Sequence, residues 1–170
     1  MSKSVLCEEK DNICLITLNE EDTRNAISPE IINELVSILE EIDNNKKISC
    51  AILTGAGKSF SSGGNLHEIN EMTENNNMSL RDIENWYRNG IQRIPMTFNK
   101  IDVPVIAAVN GHAIGAGNDL CTMCDIRIAS ENAKFSESFL RIGIIPGDGG
   151  LHHHVSVSYT HLRAHETEHQ

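Results

Sequence analysis

The alternation of short apolar runs with helix-like segments constrains the fold of this chain more than any other feature of its sequence. Apolar runs at residues 13–18, 50–54 and 103–109 predict buried strands, while residues 29–44 and 116–123 predict helices. Neighbouring parallel strands need crossover connections, which helices usually supply. The alternation therefore predicts an α/β architecture.

Local signals add detail to this outline. Ser28-Pro29-Glu30 predicts a helix start, because serine caps helix N-termini and proline fits the first turn. Residues 5–7 and 13–18 are expected to pair as a hairpin. We also expect a polar loop at residues 58–65, a mobile loop at residues 70–80, a helix at residues 80–99, and strands at residues 125–129 and 133–135.

Composition argues against several classes of function. The 170 residues carry a net charge of -10, which disfavours a nucleic-acid or anionic-membrane partner, since both attract clustered Lys and Arg. No apolar run reaches the roughly 18 residues that span a bilayer, and the acidic N-terminal segment lacks the pattern of a presequence. The five cysteines, an odd number, fit reduced thiols in a cytoplasmic protein.

Two metal-like patterns have plainer explanations. Cys121-Thr-Met-Cys124 has zinc-ligand spacing, but no second Cys/His pair accompanies it in the body of the chain, so we expect no metal there. Residues 152–170 contain six of the eight histidines and no apolar periodicity. They are either a metal-binding tract or, as we expect, a non-native or disordered tail outside a core domain of residues 1–151.

Two glycine-rich loops, residues 58–66 and 110–120, each follow a predicted strand and lead into a predicted helix. Small residues leave backbone N–H groups uncovered, and free amides at helix N-termini stabilise negative charge. Two such amides directed at one oxygen form an oxyanion hole. The alternative is that the small residues only permit close packing. A dinucleotide-binding loop is disfavoured, because Gly115-Ala-Gly117 does not extend to GxGxxG.

The ordered motifs of the chain resemble the enoyl-CoA hydratase/isomerase (crotonase) family over about residues 5–151. The matching segments are Arg24-Asn-Ala-Ile-Ser28, Ile52-Leu-Thr-Gly55, Phe60-Ser-Ser-Gly-Gly-Asn-Leu66, residues 100–117, Met123-Cys-Asp-Ile-Arg-Ile-Ala129 and residues 141–150. The resemblance implies the ClpP/crotonase-like fold, a spiral of ββα units, and a trimer or hexamer of the full-length form. It also implies that the family's C-terminal helical part is missing after about residue 151.

The resemblance places the two oxyanion amides at Gly64 and Ala116. Many relatives have glycine in place of Ala116, and alanine is acceptable if its φ is negative, because the backbone N–H makes the bond. The resemblance also implies acyl-CoA contacts at Arg24, Ala26, Ser62, Asn65, Leu66 and Gly117. Arg24 is either a phosphate contact or a solvated loop charge. Because CoA is part of the substrate, no separate cofactor is expected.

Hydratases of this family use two carboxylates, and the resemblance puts the first at Asp119. The second would fall at Phe139, which cannot transfer a proton. Glu137 and Asp148 are candidate replacements, and a single acid/base suffices for isomerisation. Each carboxylate has a plainer alternative: a helix-cap charge for Asp119, a turn residue for Asp148 and a solvated loop charge for Glu137.

These observations predict an enoyl-CoA hydratase or enoyl-CoA isomerase, that is, a lyase or isomerase of fatty-acid or related acyl-CoA metabolism. The thioester enolate would be held in the two-amide oxyanion hole. The alternative is a catalytically inactive, CoA-binding or misassembled fragment of such an enzyme, which Phe139 and the implied missing part favour. Binding of an acyl-CoA without turnover distinguishes the second hypothesis from the first.

Overall fold

The computed structural model of the protein describes residues 3–74, 78–150 and 152–153. In chain order, the strands are β1 Val5–Lys10, β2 Ile13–Leu18, β3 Ala26–Ile27, β4 Cys50–Gly55, β5 Ser59–Ser61, β6 Gly63–Gly64, β7 Val105–Val109, β8 His112–Ile114, β9 Ile126–Ala129 and β10 Lys134–Ser136. The helices are α1 Pro29–Asn44, α2 Leu66–Glu74, α3 Leu80–Asn89, α4 Arg93–Phe98 and α5 Ala116–Met123. Short 3-10 turns cover Glu21–Thr23 and Phe139–Ile142.

The main sheet contains five strands in the order β1-β2-β4-β7-β9. β1 and β2 form the predicted antiparallel hairpin, while β2–β4, β4–β7 and β7–β9 are parallel pairs. Parallel pairing requires crossovers, and α1 connects β2 to β4 while α5 connects β7 to β9. A second sheet has the parallel order β10-β8-β5, and β3 pairs with β6. The predicted α/β architecture is therefore confirmed.

Helix α1 joins the main sheet to the rest of the core. Its predicted start is confirmed, because the side-chain oxygen of Ser28 accepts the N–H of Ile31 at 3.2 Å. The buried face of α1 consists of Ile31, Ile32, Leu35, Val36, Leu39 and Ile42. This face belongs to the same hydrophobic cluster as Ile16 and Leu53 of the sheet. Each such side chain contributes about 1.5–3 kcal/mol when fully buried, so this contact stabilises the sheet.

The glycine-rich loops contain short strands that the sequence pattern did not predict. Residues 58–65, expected as a polar loop, include β5 and β6, and β8 follows directly after the predicted turn at residues 110–111. Strands of two or three residues are too short to show a periodic pattern. They form here because β5 pairs with β8 and β6 pairs with β3, which are distant in the sequence.

The helical region between β4 and β7 also differs from the prediction. Residues 70–74, expected in a mobile loop, complete α2, and residues 75–77 of that loop lie outside the described residues. The expected helix at residues 80–99 is instead two helices, α3 and α4, separated at Gly90. Gly90 has the non-helical dihedral angles φ -105° and ψ -116°, which end α3 before the turn that leads into α4.

The C-terminal segment is described only in part. Residues 151 and 154–170 lie outside the described residues, and so does most of the segment expected as a non-native or disordered tail. The N–H groups of His152 and His153 donate to the carbonyl oxygen of Gly149 at 3.1 and 3.4 Å. Within the described parts of the chain, none of the helices combines the length and the apolar character needed to cross a membrane.

Candidate active site

The two glycine-rich loops lie directly against each other. Gly63 has φ +92°, and a β-carbon on it would lie 2.4 Å from the carbonyl oxygen of Ile114. A β-carbon on Gly117 would lie 2.6 Å from the carbonyl oxygen of Ser61. Such approaches are too close for any side chain, so both positions require glycine. Close packing therefore explains these two glycines, and it brings the start of α5 against β5 and β6.

Ala116 is the first residue of α5. The carbonyl oxygen of Gly115 accepts the N–H groups of Asn118 and Asp119 at 2.8 and 3.0 Å, so helical hydrogen bonding begins with those two amides. The N–H of Ala116 precedes them, in the first turn, where no intrahelical acceptor exists. Ala116 is not among the described non-glycine residues with positive φ, so it meets the expected condition for alanine here. Its amide can therefore serve a ligand at the helix N-terminus.

A cavity of about 330 Å³ adjoins the two loops. Gly64 and Ala116 both line it, so the structure brings the two predicted oxyanion positions together. Most of its remaining wall is apolar or aromatic, including Ile27, Ile32, Ile69, Trp86, Tyr87, Ile114 and Phe139. A concave, mainly apolar wall with a few polar groups is typical of a small-molecule site and suits an acyl chain.

The three carboxylates predicted as acid/base candidates converge beside this cavity. Asp119 is fully buried on α5, and Asp148 is only 3% exposed. The exposed Glu137 accepts a hydrogen bond from the side-chain amide of Asn118. Gly150 contacts both aspartates: its N–H donates to Oδ1 of Asp148 at 3.3 Å, and a β-carbon on it would lie 2.0 Å from Cγ of Asp119.

The protonation of Asp119 follows from its surroundings. Burial is the largest cause that raises the pKa of Asp119 to about 9; the hydrogen bond and charge of Asp148, and then Glu137, act in the same direction. Two adjacent buried carboxyl groups do not both ionise readily, because like charges repel strongly in a low dielectric. Asp119 therefore holds a proton at neutral pH. Asp148 lines the cavity, whereas Asp119 does not. The carboxyl group of Asp119, which the family resemblance names as the first catalytic carboxylate, therefore lies behind that of Asp148.

Three of the predicted acyl-CoA contacts line the cavity: Ser62, Asn65 and Leu66. The Ser62 hydroxyl donates to the carbonyl oxygen of Thr23 at 3.0 Å, and the Asn65 side-chain amide donates to Oε1 of Glu68 at 2.7 Å. Leu66 is 61% exposed. An exposed apolar side chain at a cavity is available to a ligand, whereas the two polar side chains are already held in place by neighbours.

The other three predicted contacts lie outside the lining of the cavity. Arg24 is exposed, has φ +59° and accepts the N–H of Ser62 through its carbonyl oxygen at 2.9 Å. Ala26 is buried in β3, where it pairs with Gly63. Gly117 is buried against the backbone of β5. Arg24 and Ala26 thus adjoin the first loop through the backbone, and Gly117 supports it from α5.

Tyr87 of α3 lines the cavity and was not predicted from the sequence. Its ring lies against Gly147, where a β-carbon would be 2.7 Å from Cε1 of the tyrosine. Burial and, after it, the charge of Asp148 raise the pKa of Tyr87. The signal that could have indicated this residue is the adjacent pair Trp86 and Tyr87 in a chain where aromatic residues make up only 4%. The pair packs edge to face with ring centres 5.0 Å apart.

Phe139 belongs to the 3-10 turn at residues 139–142 and lines the cavity. Its Cζ atom would lie 3.9 Å from a β-carbon on Gly115, the residue just before the predicted oxyanion amide. An aromatic ring therefore forms part of the wall at the position where the family resemblance leads us to expect a second carboxylate. This wall repels water rather than activating it.

The two cysteines with zinc-like spacing are buried at the C-terminal end of α5, with Cys121 in the helix and Cys124 directly after its last residue. The thiols of Cys121 and Cys124 donate to the carbonyl oxygens of Gly117 and Leu120 at 3.3 and 3.4 Å. Burial raises the pKa of both thiols, which disfavours the thiolate form that binds zinc. Both thiols are therefore part of the buried packing at the end of α5.

Comparisons with known proteins point to one family. The sequence model of the enoyl-CoA hydratase/isomerase family matches residues 8–164. The short-chain-enoyl-CoA hydratase of Clostridium acetobutylicum is 36% identical over 148 residues, which are 86% of this chain and 54% of that protein. The 2,3-dehydroadipyl-CoA hydratase of Escherichia coli is 34% identical over 146 residues, again 86% of this chain and 54% of that protein.

A solved structure gives the same result for the fold. An enoyl-CoA hydratase subunit from Geobacillus kaustophilus superposes with a TM-score of 0.78 at 30% identity, over 91% of this chain and 57% of that one. The chain spans about half the length of the curated relatives it matches. From its family match and its structure, the chain belongs to the enoyl-CoA hydratase/isomerase family and has the crotonase fold, the spiral of ββα units predicted from the sequence.

Proposed function

We propose that this protein binds acyl-CoA thioesters and stabilises their enolates, as an enoyl-CoA hydratase or isomerase of fatty-acid or related acyl-CoA metabolism. The observation that carries the proposal is that Gly64 and Ala116 line one cavity. Ala116 begins α5, where the helix dipole favours negative charge. The CoA group belongs to the substrate, so the proposal needs no separate cofactor.

In this proposal the N–H groups of Gly64 and Ala116 donate to the carbonyl oxygen of the thioester. When a proton leaves the carbon beside that carbonyl group, the electron pair moves onto the oxygen. The two donors then bind the enolate more strongly than the original carbonyl, which lowers the barrier. Each donor of this kind is worth about 3–4 kcal/mol of transition-state stabilisation. The mainly apolar wall lowers the local dielectric and so strengthens both hydrogen bonds.

Phe139 favours isomerisation over hydration. Hydration across a double bond needs one group to activate water and another to protonate carbon, whereas isomerisation needs one group that moves a proton between two carbons. Phe139 contributes an aromatic ring to the cavity wall and has no proton to exchange. We therefore propose that moving the double bond between the 3 and 2 positions of an enoyl-CoA is the main reaction.

We place the CoA portion of the substrate along Ser62, Asn65 and Leu66, which line the cavity. The exposed guanidinium group of Arg24 is close to this segment through its backbone contact with Ser62 and suits a phosphate of CoA. Ala26 would support the site by holding β6 in register.

The test compares turnover with binding. Crotonyl-CoA reports hydration and a 3-enoyl-CoA reports isomerisation, both through the absorbance of the conjugated thioester, while calorimetry measures the binding of each. Turnover of either substrate supports the proposal. Binding without turnover supports the alternative, an inactive CoA-binding fragment, which the enclosure of Asp119 favours. Failure to bind either thioester contradicts the proposal and leaves the misassembled fragment as the alternative that fits.

A further inference from the structure

The buried carboxyl groups of Asp119 and Asp148 meet at one glycine. Asp119 is 0% exposed and Asp148 is 3% exposed. The N–H of Gly150 donates to Oδ1 of Asp148 at 3.3 Å. A β-carbon on Gly150 would lie 2.0 Å from both Cγ and Oδ1 of Asp119, so the backbone there covers the carboxyl group of Asp119. The two side chains therefore occupy one enclosed site, with Asp119 the deeper of the two.

Access to the cavity differs between the two aspartates. Asp148 lines the main cavity and also a small adjoining pocket, and Ala116 lines both. Asp119 lines neither of them. Asp148 therefore stands at the cavity wall next to Ala116, while Asp119 lies behind that wall and meets a substrate only by way of Asp148.

We infer that Asp148 is the group that exchanges protons with the substrate, and that Asp119 is a positioning residue that keeps its own proton and holds Asp148 as the base. This inference rests on the proposed function, because it names the acid/base of the same site. It reverses the order that the family resemblance implies, in which Asp119 comes first.

The charge balance of the pair supports this division. Burial, together with Asp148, raises the pKa of Asp119, so the protonated form of Asp119 can donate a hydrogen bond to the Asp148 carboxylate. One proton and one negative charge are then shared by the pair, which avoids two charges in one enclosed site. A hydrogen bond to a carboxylate is stronger than one between neutral groups, so it also fixes the orientation of Asp148.

Other titratable groups face the pair from neighbouring elements. Glu137 raises the pKa of Asp119 through its charge and a hydrogen bond. Tyr87 of α3 lines the same cavity, and the charge of Asp148 raises the pKa of Tyr87. Cys121 lies on the helix of Asp119, and its pKa is raised mainly by burial. The cations Arg93 and Arg141 line the same cavity, but the groups that shift the pKa of Asp119 are the carboxyl groups of Asp148 and Glu137, which both raise it. A neutral Asp119 is therefore the arrangement that adds least negative charge beside those two carboxyl groups.

The proton transfer balances with Asp148 alone. Its carboxylate takes a proton from the carbon beside the thioester carbonyl of the enoyl thioester. The C–H electron pair forms a new C=C bond and the carbonyl π pair moves onto the oxygen, so the amides of Gly64 and Ala116 bind the resulting dienolate. The same carboxyl group then returns the proton to the other end of the dienolate, which re-forms the thioester carbonyl. Asp119 keeps its proton throughout, so no oxidant, reductant or water is consumed.

The experiment uses Asp119→Asn and Asp148→Asn, with Asp102→Asn as the matched control, because Asp102 is exposed and distant in sequence from both. The first measurement is infrared absorption of protein whose aspartate carboxyl groups carry carbon-13, which reports a protonated acid at neutral pH. The second is kcat and KM for a 3-enoyl-CoA. The infrared measurement does not depend on activity.

The inference expects the protonated-acid band to disappear in Asp119→Asn and to remain in Asp148→Asn and in the control. It also expects kcat to fall about 100-fold or more in Asp148→Asn, with KM within about threefold of the original. Asp119→Asn keeps an N–H donor toward Asp148, so its kcat should fall about tenfold or less.

Two results overturn the inference. One is that the infrared band of the protonated acid survives in Asp119→Asn, whether or not it disappears in Asp148→Asn. The other is a loss of kcat in Asp119→Asn that equals or exceeds the loss in Asp148→Asn. If the unsubstituted protein has no turnover, the proposed function fails, yet the infrared band still decides which aspartate holds the proton.

Discussion

Replacing Ala116 by proline isolates the contribution of one backbone amide. Proline has no N–H, and its fixed φ of about -65° fits the first position of a helix. Ala116 is the first residue of α5, and helical hydrogen bonding begins with the amides of Asn118 and Asp119. The substitution therefore removes a donor to the cavity without breaking a hydrogen bond of the helix.

The magnitude follows from the role of the amide. Loss of one oxyanion donor lowers kcat about 100- to 1000-fold, equivalent to about 3–4 kcal/mol. We expect the free energy of unfolding to change by about 1 kcal/mol or less, the scale of an ordinary substitution. KM should change little, because the donor acts more strongly on the enolate than on the bound substrate.

The assay measures kcat and KM for 3-enoyl-CoA and crotonyl-CoA, and urea unfolding measures stability. Ala116→Gly is the matched control, since it changes the same side chain and keeps the N–H. If Ala116→Pro keeps kcat within about threefold of the control, the amide is not an oxyanion donor and the reasoning is refuted. If Ala116→Pro does not fold, the placement of Ala116 at the first position of α5 is wrong.

Two further predictions concern packing and protonation. Gly63→Ala should lower the free energy of unfolding by about 1–3 kcal/mol, because its β-carbon would lie 2.4 Å from the Ile114 carbonyl oxygen. Gly143→Ala is the control for positive φ alone, because Gly143 has φ +72° and a β-carbon on it would have no described atom within 4 Å. If urea unfolding shows that both substitutions lower the free energy of unfolding equally, the packing argument is contradicted. The pKa of Asp119 is raised on folding to about 9, so its contribution to stability is complete below about pH 4 and is lost as the pH rises toward 9. In Asp119→Asn, the free energy of unfolding measured with urea should fall less steeply between about pH 4 and pH 9. If the pH dependence of stability is the same as in the unsubstituted protein, Asp119 is not the group with the raised pKa.

How far the sequence predicts the fold depends on whether a signal is local. The start of α1 at Ser28 and the bounds of α5 were predicted, because capping residues and apolar spacing are local properties. β5, β6 and β8 were missed, because two or three residues become strands only through pairing with distant segments. The break at Gly90 was missed because the helical pattern continues on both sides of it.

The candidate site shows the same limit: the sequence indicates which residues belong to the site, but not which of them line the cavity. The sequence indicated all three carboxylates, and the structure brings Asp119, Asp148 and Glu137 together. Which of them reaches the cavity depends on the backbone at Gly150 lying over Asp119, a contact between segments about thirty residues apart that no local pattern encodes. Tyr87 was missed for the same reason, since its place in the wall depends on how α3 packs against Gly147.

The glycine-rich loops show why packing and catalysis are not competing explanations for small residues. Gly63 of the first loop and Gly117 of the second each occupy a position where a β-carbon would meet the backbone of the other loop. Their neighbours, Gly64 and Ala116, line the cavity. The close contacts at Gly63 and Gly117 thus fix the position of the Gly64 amide relative to the Ala116 amide. A shift of about 1 Å in a catalytic group can cost about 100-fold in rate. Under the proposed function, a residue that only packs, such as Gly117, would therefore affect the rate as strongly as the proposed donor Ala116 beside it.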